Sequence, residues 1–457
     1  NYELVNCTIL YNDHSVGGMN ISIKGLTHAG NGDFGNNLVH LNTTTTIDSI
    51  SASTGLMTYL TQAQLNLKLD LDIDQQQNLF TIRHHALKLN EFNLDATGKL
   101  KLMEDDGIDM DLKFSSPQNQ FKNLFSLIPH AYTKDYASVK ADGSYLFEGS
   151  VKGLYHSLKE IYPSWNILLD VKDGFVQYPG MPANLQKIQF HLLSSNTGPV
   201  LDQMNLQIDP LQLLLNQKPI RAAFHLDRLT KDPHVVGFVS GAIDFEDFKS
   251  VMPLDPQVQL KGQINADIKF DATQAQVEAE DYENMKMEGA CLLRDVYYSS
   301  PGTPAISITN MSTQFSPQKA VISDSKMQLG NSDLALSGQI NNPLKIIVGR
   351  GKTSVNLQMQ SSFFDANEWM SDEASSSGSA TTANGGSSDD LGIFDQLDLT
   401  AKADVGKLAY DNYTISQMSS NVKYNDDKLD IEQLKMVVNE NSVNVKGQLT
   451  NLMGYAL

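Results

Sequence analysis

Three aspartates, Asp70, Asp72 and Asp74, follow the D-x-D-x-D spacing with which calcium-binding loops begin. Such a loop also needs glycine at its sixth position and glutamate at its twelfth. Here those positions hold Gln75 and Thr81. A spacing of two instead puts the three carboxylates on one polar face of a strand. The sequence therefore predicts a strand here and no calcium site.

Two adjacent histidines, His84 and His85, are the next residues whose chemistry could bind a metal. Neighbouring side chains of a strand point to opposite faces of the sheet, so these two rings could not share one ion. The acidic run Glu104 to Asp106 stands beside a glycine, which is typical of a hairpin turn. We expect no metal ion at either place.

Catalytic motifs are absent from the chain, since it has no GxSxG, no HExxH, no P-loop and no GxGxxG before a helix. Cys7 and Cys291 form no CxxC pair and predict neither a zinc site nor a disulfide framework. With 34 basic and 53 acidic residues the net charge is -19, which would repel nucleic acid. We expect a protein that is not an enzyme, uses no cofactor and has no nucleic-acid partner.

Strict alternation of apolar and polar residues is the dominant pattern of the chain. It runs through Leu65–Ile73, Ile108–Phe114, Val258–Phe270 and Leu397–Val405. A period of two sends every apolar side chain to one face of a strand and leaves the other face wet. This predicts half-buried strands of antiparallel sheet, separated by Asn, Asp and Gly turns.

Helical patterns are few and short. Two of them, Phe121–Ile128 and Phe245–Val251, end at a proline, which cannot continue a helix. A third, Thr273–Met285, predicts a polar connector helix. The Ser/Gly-rich stretch 371–390 predicts a flexible loop.

A hairpin pattern recurs along the chain at intervals of about 110 to 125 residues. Each copy has an apolar strand, a polar turn and a second alternating strand, and the copies place Gly98, Phe224, Gly338 and Gly447 at the equivalent position. This predicts four tandem β units: residues 1–115, truncated at the N-terminal side; 116–243, with a short helix at its start; 244–360; and 361–457, which contains the loop 371–390.

Units of this kind cannot each close a core, so neighbouring units should stack edge to edge. The predicted fold is all-β with a few short helices. Its tandem repeats would build an elongated, curved antiparallel β-sheet that forms a taco-like β-groove. The apolar face of such a sheet must curl on itself, pair with another sheet or hold an apolar ligand.

A family resemblance is carried by four long segments: LVNCTILYNDHSVGGMNISIKGLTHAGNGDF, MEDDGIDMDLKFSS, LLDVKDGFVQYPGMPANLQKIQFHL and GAIDFEDFKSVMPLDPQVQLKGQINADIKF. They resemble the periplasmic region of AsmA-like proteins of the Bacteroidetes type. The resemblance implies a periplasmic repeating β-groove, held at the inner membrane by an N-terminal anchor that this sequence lacks. It also implies a part in outer-membrane biogenesis and in phospholipid transport between the two membranes.

Together, the pattern and the resemblance predict a non-enzymatic groove in the Gram-negative cell envelope. The expected partners are phospholipid or another acyl-chain lipid, the inner membrane through the missing anchor, and envelope proteins. The residues predicted to line the groove share the apolar face of their strands: Leu65, Leu67, Leu69, Leu71, Ile73, Ile108, Met110, Leu112, Phe114, Ile264, Ile268, Leu397 and Leu399.

Two other functions fit the same pattern. The first is a closed β scaffold of the cell envelope that regulates outer-membrane assembly through protein partners. The second is a carbohydrate-binding or adhesin-like β module, which should cluster aromatic residues in its loops. Trp165 and Trp369 form no such platform in the sequence, so the adhesin interpretation is the weaker of the two.

Overall fold

The structure, a computed structural model, describes residues 1–450 apart from 14–17, 55–56, 128–138, 178–183, 249–256, 280, 282–283, 302, 344, 346–351, 370–396 and 427. The predicted flexible loop 371–390 lies outside the described residues. Strands account for 76% of the described residues and helices for 6%. The prediction of an all-β fold with a few short helices is therefore confirmed.

The chain divides into two compact units, Asn1–Gly237 and Phe238–Leu457. The division into four tandem repeats stays a prediction. Unit 1 is an up-and-down sheet in which each strand pairs with the next in antiparallel orientation. Its strands are β1 (Tyr2–Asn12), β2 (Met19–Gly32), β3 (Leu38–Thr54), β4 (Met57–Asp74), β5 (Leu79–Leu89), β6 (Phe92–Leu102), β7 (Ile108–Ser115), β8 (Lys140–Tyr155), β9 (Ser164–Gln177), β10 (Leu185–Asn196), β11 (Asn205–Leu215) and β12 (Lys218–Asp227).

Unit 2 repeats this architecture after β13 (His234–Asp244), which crosses the boundary between the units. Its strands are β14 (Gln259–Thr273), β15 (Lys286–Ser299), β16 (Ile306–Ser316), β17 (Lys319–Leu329), β18 (Ser332–Asn341), β19 (Thr353–Asp365), β20 (Leu397–Tyr410), β21 (Tyr413–Asn425), β22 (Lys428–Val438) and β23 (Asn441–Thr450).

One strand pair of unit 2 departs from the antiparallel pattern. β19 and β20 are parallel, with Thr353 opposite Leu397 and Asp365 opposite Ala409. The other neighbours in unit 2 pair in antiparallel orientation. A parallel pair needs a crossover connection of about a dozen residues or more, and residues 366–396 provide that length.

The helices are short, as predicted. α1 (Lys122–Phe125) lies between β7 and β8, and single 3₁₀ turns occupy Phe245–Phe248 and Ala366–Trp369. The third predicted helix is shorter than the pattern indicated. α2 (Gln274–Glu278) begins after Thr273, whose hydroxyl accepts a hydrogen bond from the backbone of the third helical residue.

The repeated hairpins of the sequence are hairpins in the structure. They are β5–β6, β11–β12, β17–β18 and β22–β23, and each shifts register near its middle. In all four, the last pair before the shift joins an isoleucine to the repeat position: Ile82 and Gly98, Ile208 and Phe224, Ile322 and Gly338, Ile431 and Gly447.

Candidate functional site

The predicted lining residues of unit 1 share one face of its sheet. Residues directly opposite each other on neighbouring strands have their side chains on the same side. Ile73 on β4 lies opposite Phe80, Phe80 lies opposite Leu100, and Leu100 lies opposite Met110 on β7. The apolar residues of β4 and β7 are therefore joined by those of β5 and β6 into one continuous face.

Unit 2 has a corresponding face of its own. Ile264 on β14 lies opposite Leu293, which lies opposite Met311. A second row of opposite residues crosses the unit from β14 to β20 and contains two of the predicted positions: Ile268, Gly289, Phe315, Ala320, Ile340, Val355 and Leu399. Leu397 stands two residues before Leu399 on the same face.

All thirteen predicted residues are half-buried, belonging neither to the buried core nor to the exposed apolar residues. On β7 this state alternates strictly, since Ile108, Met110, Leu112 and Phe114 are half-buried and the residues between them are exposed. Two sheets packed face to face would bury such side chains almost completely. Among the described residues, the apolar face of β7 therefore lacks the nearly complete burial that a second sheet would give.

Polar side chains interrupt the apolar face between β1 and β3. The ring of His28 shares hydrogen bonds with the Tyr2 hydroxyl at 3.1 Å and with the Thr45 hydroxyl at 2.8 Å. Thr45 lies opposite Leu67, one of the predicted lining residues. The alternation of the sequence did not predict these hydrogen bonds, although the threonine run 43–46, which interrupts the apolar alternation, indicates a polar region here.

His84 and His85 lie on opposite faces, as the alternation predicted. His84 is opposite Asp70 on the polar face, whereas His85 is opposite Leu69 on the apolar face. Burial lowers the pKa of His85 below its ordinary value, because the charged imidazole would lose hydration there. Its Nδ1 atom is buried and has no hydrogen-bond partner among the described residues.

The aspartates of the D-x-D-x-D motif belong to β4, as predicted. Asp72 accepts hydrogen bonds from His40 and Arg83. Desolvation works to raise the pKa of Asp72, but the hydrogen bonds and the charges of these two partners together outweigh it and hold the pKa below its usual value. Within the described ranges, no group of three or more His, Cys, Asp or Glu residues is arranged to bind a metal ion.

The acidic run forms the predicted turn between β6 and β7. Asp105 accepts a hydrogen bond of 2.5 Å from Lys159, which lowers the pKa of this carboxylate. The buried ring of His156 lies 3.6 Å from the same carboxylate. These contacts join the turn to the end of β8. Cys7 and Cys291 are both free thiols, and burial raises the pKa of Cys291.

One part of the apolar face of unit 1 is covered by the chain itself. Phe121, directly before α1, packs into a buried cluster with Phe92 of β6, Tyr145 of β8, Val171 of β9 and Ile188 of β10. Leu124, Phe125 and Leu127 pack against this cluster. The sequence predicted the helix but not where its apolar side would lie.

No family model, curated protein or solved structure matches this chain. Among the residues that the structure describes, none of the helices has the length and hydropathy needed to cross a bilayer.

Proposed function

We propose that this protein is a non-enzymatic lipid-binding protein of the cell envelope, whose apolar sheet faces hold acyl chains. The observation that carries the proposal is the continuous apolar face of each unit, whose described leucine, isoleucine, methionine and phenylalanine side chains on β7 and the other predicted strands are only half-buried. The four segments that resemble AsmA-like proteins support a periplasmic location and phospholipid as the ligand.

The binding energy would come from burial of hydrocarbon. Each buried methylene contributes about 0.8 kcal/mol, so an acyl chain prefers such a face to water. The interaction has no preferred direction along the face, and neighbouring positions are similar in chemistry. A bound lipid could therefore move from one position to the next without a large barrier and without a hydrolysed cofactor.

The two faces of each sheet have different roles in this proposal. On β7 the apolar residues alternate with Asp109, Asp111 and Lys113, which are exposed. Asp111 pairs with Lys152 of β8 at 2.9 Å on this polar face. The polar face keeps the sheet hydrated while the opposite face holds hydrocarbon, and together the two would carry phospholipid between the inner and outer membranes.

The experiment that tests the proposal is purification of the protein in a gentle detergent, followed by solvent extraction and mass spectrometry of the lipid that accompanies it. A closed β-sandwich protein of similar size serves as the control. We expect phospholipid in stoichiometric amount. Lipid no higher than in the control would contradict the proposal and favour a scaffold that binds protein partners.

A further inference from the structure

A short strap of chain, residues 119–127, lies across the apolar face of unit 1 and contains α1. Phe121, within the strap, is 6% exposed, and Tyr145 and Val171, beneath it, are 4% and 1% exposed. The uncovered positions of the same face, such as Leu112, are half-buried. The lower exposure of Tyr145 and Val171 shows that the strap excludes solvent from the part of the apolar face that it covers.

The strap is fixed to β8 at its N-terminal end. The Phe121 amide donates a hydrogen bond to the Gly143 carbonyl at 3.0 Å, and the Tyr145 amide donates one to the Asn119 carbonyl at 2.8 Å. The hydroxyls of Tyr145 and Ser116 also share a hydrogen bond of 2.7 Å. These bonds place the Phe121 ring over β8 to β10.

The other end is fixed to the turn between β5 and β6. The Ser126 carbonyl accepts a hydrogen bond of 2.6 Å from the Asn90 side chain, and its hydroxyl accepts one of 3.2 Å from the Glu91 amide. The strap therefore runs from β8 to the β5–β6 turn and is held at both ends. Asn90 itself is in the left-handed conformation that tight hairpin turns require.

We infer that this strap is an end-stop for bound acyl chains and that Phe121 is the residue that sets its position. The inference rests on the proposed function. The aromatic and aliphatic side chains of the strap occupy the part of the apolar face formed by Phe92, Tyr145, Val171 and Ile188. Two apolar groups cannot fill the same space in a close-packed cluster. In unit 1 an acyl chain can lie on the face that contains Leu69 and Leu112, and it ends at the strap.

Photolabelling locates the end-stop. The protein is incubated with vesicles of phosphatidylethanolamine and phosphatidylglycerol that contain a phospholipid with a diazirine in its acyl chain. After illumination, labelled peptides are identified by mass spectrometry. We expect label on the peptides of Leu69 and Leu112 and only background on those of Tyr145 and Val171. Label on Tyr145 or Val171 at the level of Leu112 would overturn the end-stop while leaving the proposed function intact.

The variant Phe121→Ala should remove the stop. Labelling of the Tyr145 and Val171 peptides should rise from background to the level of Leu112, whereas Phe121→Leu, which keeps an apolar cover, should label like the wild type. Phe34→Ala is the matched control, because Phe34 is exposed between β2 and β3. Unchanged background labelling in a folded Phe121→Ala protein would overturn the inference.

A second variant keeps the test valid if the loss of Phe121 prevents folding. Asn90→Ala combined with Ser126→Ala releases the distal end of the strap and leaves the aromatic cluster intact. Its labelling of Tyr145 and Val171 should also rise above background, and an unchanged pattern counts against the inference. Absence of label from every peptide of the wild type would instead overturn the proposed function.

Discussion

Ile82 on β5 and Gly98 on β6 lie directly opposite each other, as the last residue pair before the two strands shift register. The same pair recurs in unit 2 as Ile322 with Gly338 and as Ile431 with Gly447. The glycines differ in what surrounds them. A Cβ atom at Gly98 would collide with the backbone oxygen of Asp111 on β7, whereas one at Gly447, on the terminal strand β23, would meet nothing within 4 Å.

The first prediction follows from this difference. Gly98→Ala should lower the free energy of unfolding by about 2–4 kcal/mol, because φ at Gly98 is +139° and the backbone of β7 leaves no room for a methyl group. Gly447→Ala is the control and should change it by about 0.5 kcal/mol or less. Urea unfolding measures both. Equal effects of the two substitutions would show that the close approach of β7 is not the reason for a glycine at position 98.

The second prediction concerns the apolar face. Replacing Leu69 and Leu112 together with aspartate should reduce co-purified phospholipid by about tenfold or more, because a carboxylate on this face would have to lose its hydration to contact hydrocarbon. The control is Asn66→Asp with Ser115→Asp, which adds the same charge at exposed positions of the same two strands. Lipid quantification by mass spectrometry compares them. If a folded Leu69/Leu112 variant retained as much phospholipid as the wild type, these two residues would not belong to the lipid-binding face.

The third prediction is a pH dependence that arises from His85. Its folded pKa lies below the value of 6.5 expected when it is unfolded, so the unfolded chain binds the proton more tightly. This contribution to stability is fully present above that value and is lost as the pH falls toward the folded pKa. His85→Leu should therefore lose less unfolding free energy than the wild type between about pH 7.5 and about pH 5.

Asn66→Leu is the matched control for that measurement, since Asn66 is an exposed residue of the neighbouring strand β4 and has no titratable group. Urea unfolding at the two pH values should give the same pH dependence for this control as for the wild type. If His85→Leu lost as much unfolding free energy as the wild type between the two pH values, the pH dependence would arise from groups other than His85.

The fourth prediction concerns the 3₁₀ turn Ala366–Trp369 of unit 2. Glu368 accepts hydrogen bonds from the Asn331 amide at 2.9 Å and from the Asn331 side chain at 2.6 Å, which ties this turn to the β17–β18 hairpin. Glu368→Ala should lower the unfolding free energy by about 1 kcal/mol. Glu278→Ala on α2, whose carboxylate accepts a hydrogen bond from Gln274 of the same helix, should have a smaller effect. If Glu278→Ala lowered the unfolding free energy as much as Glu368→Ala, the contact between Glu368 and Asn331 would have no special role in stability.

The strands could be predicted because the alternation is a local property. On β7, Ile108 to Phe114 alternate without a break, and the structure places all four apolar residues on one face. The repeated glycines marked the hairpins for the same reason, since a close approach between strands excludes any larger residue at Gly98 and Gly338. Both the alternation and the glycines are local features, so they can be recognised in the sequence without knowledge of the fold.

Other features depend on contacts between distant segments. The register shift between Asp70 and Leu71 of β4 decides which residue of β5 faces Leu69, and that residue is His85. The spacing of Phe121 and Phe125 predicted a helix but could not show that it packs on Tyr145 and Ile188. The parallel pairing of β19 with β20 could not be predicted from the local sequence, because apolar and polar residues alternate in these two strands as they do in the antiparallel ones.

That parallel pair sets a minimum length for the connection that joins its strands. Because Thr353 is opposite Leu397 and Asp365 is opposite Ala409, the chain must return along the whole of β19 before β20 can start. At 3.3–3.6 Å per extended residue, that return of about 40 Å needs roughly a dozen residues. The Ser/Gly-rich stretch can therefore be shortened substantially, but a deletion beyond that limit would force β20 into a different pairing and change the topology of unit 2.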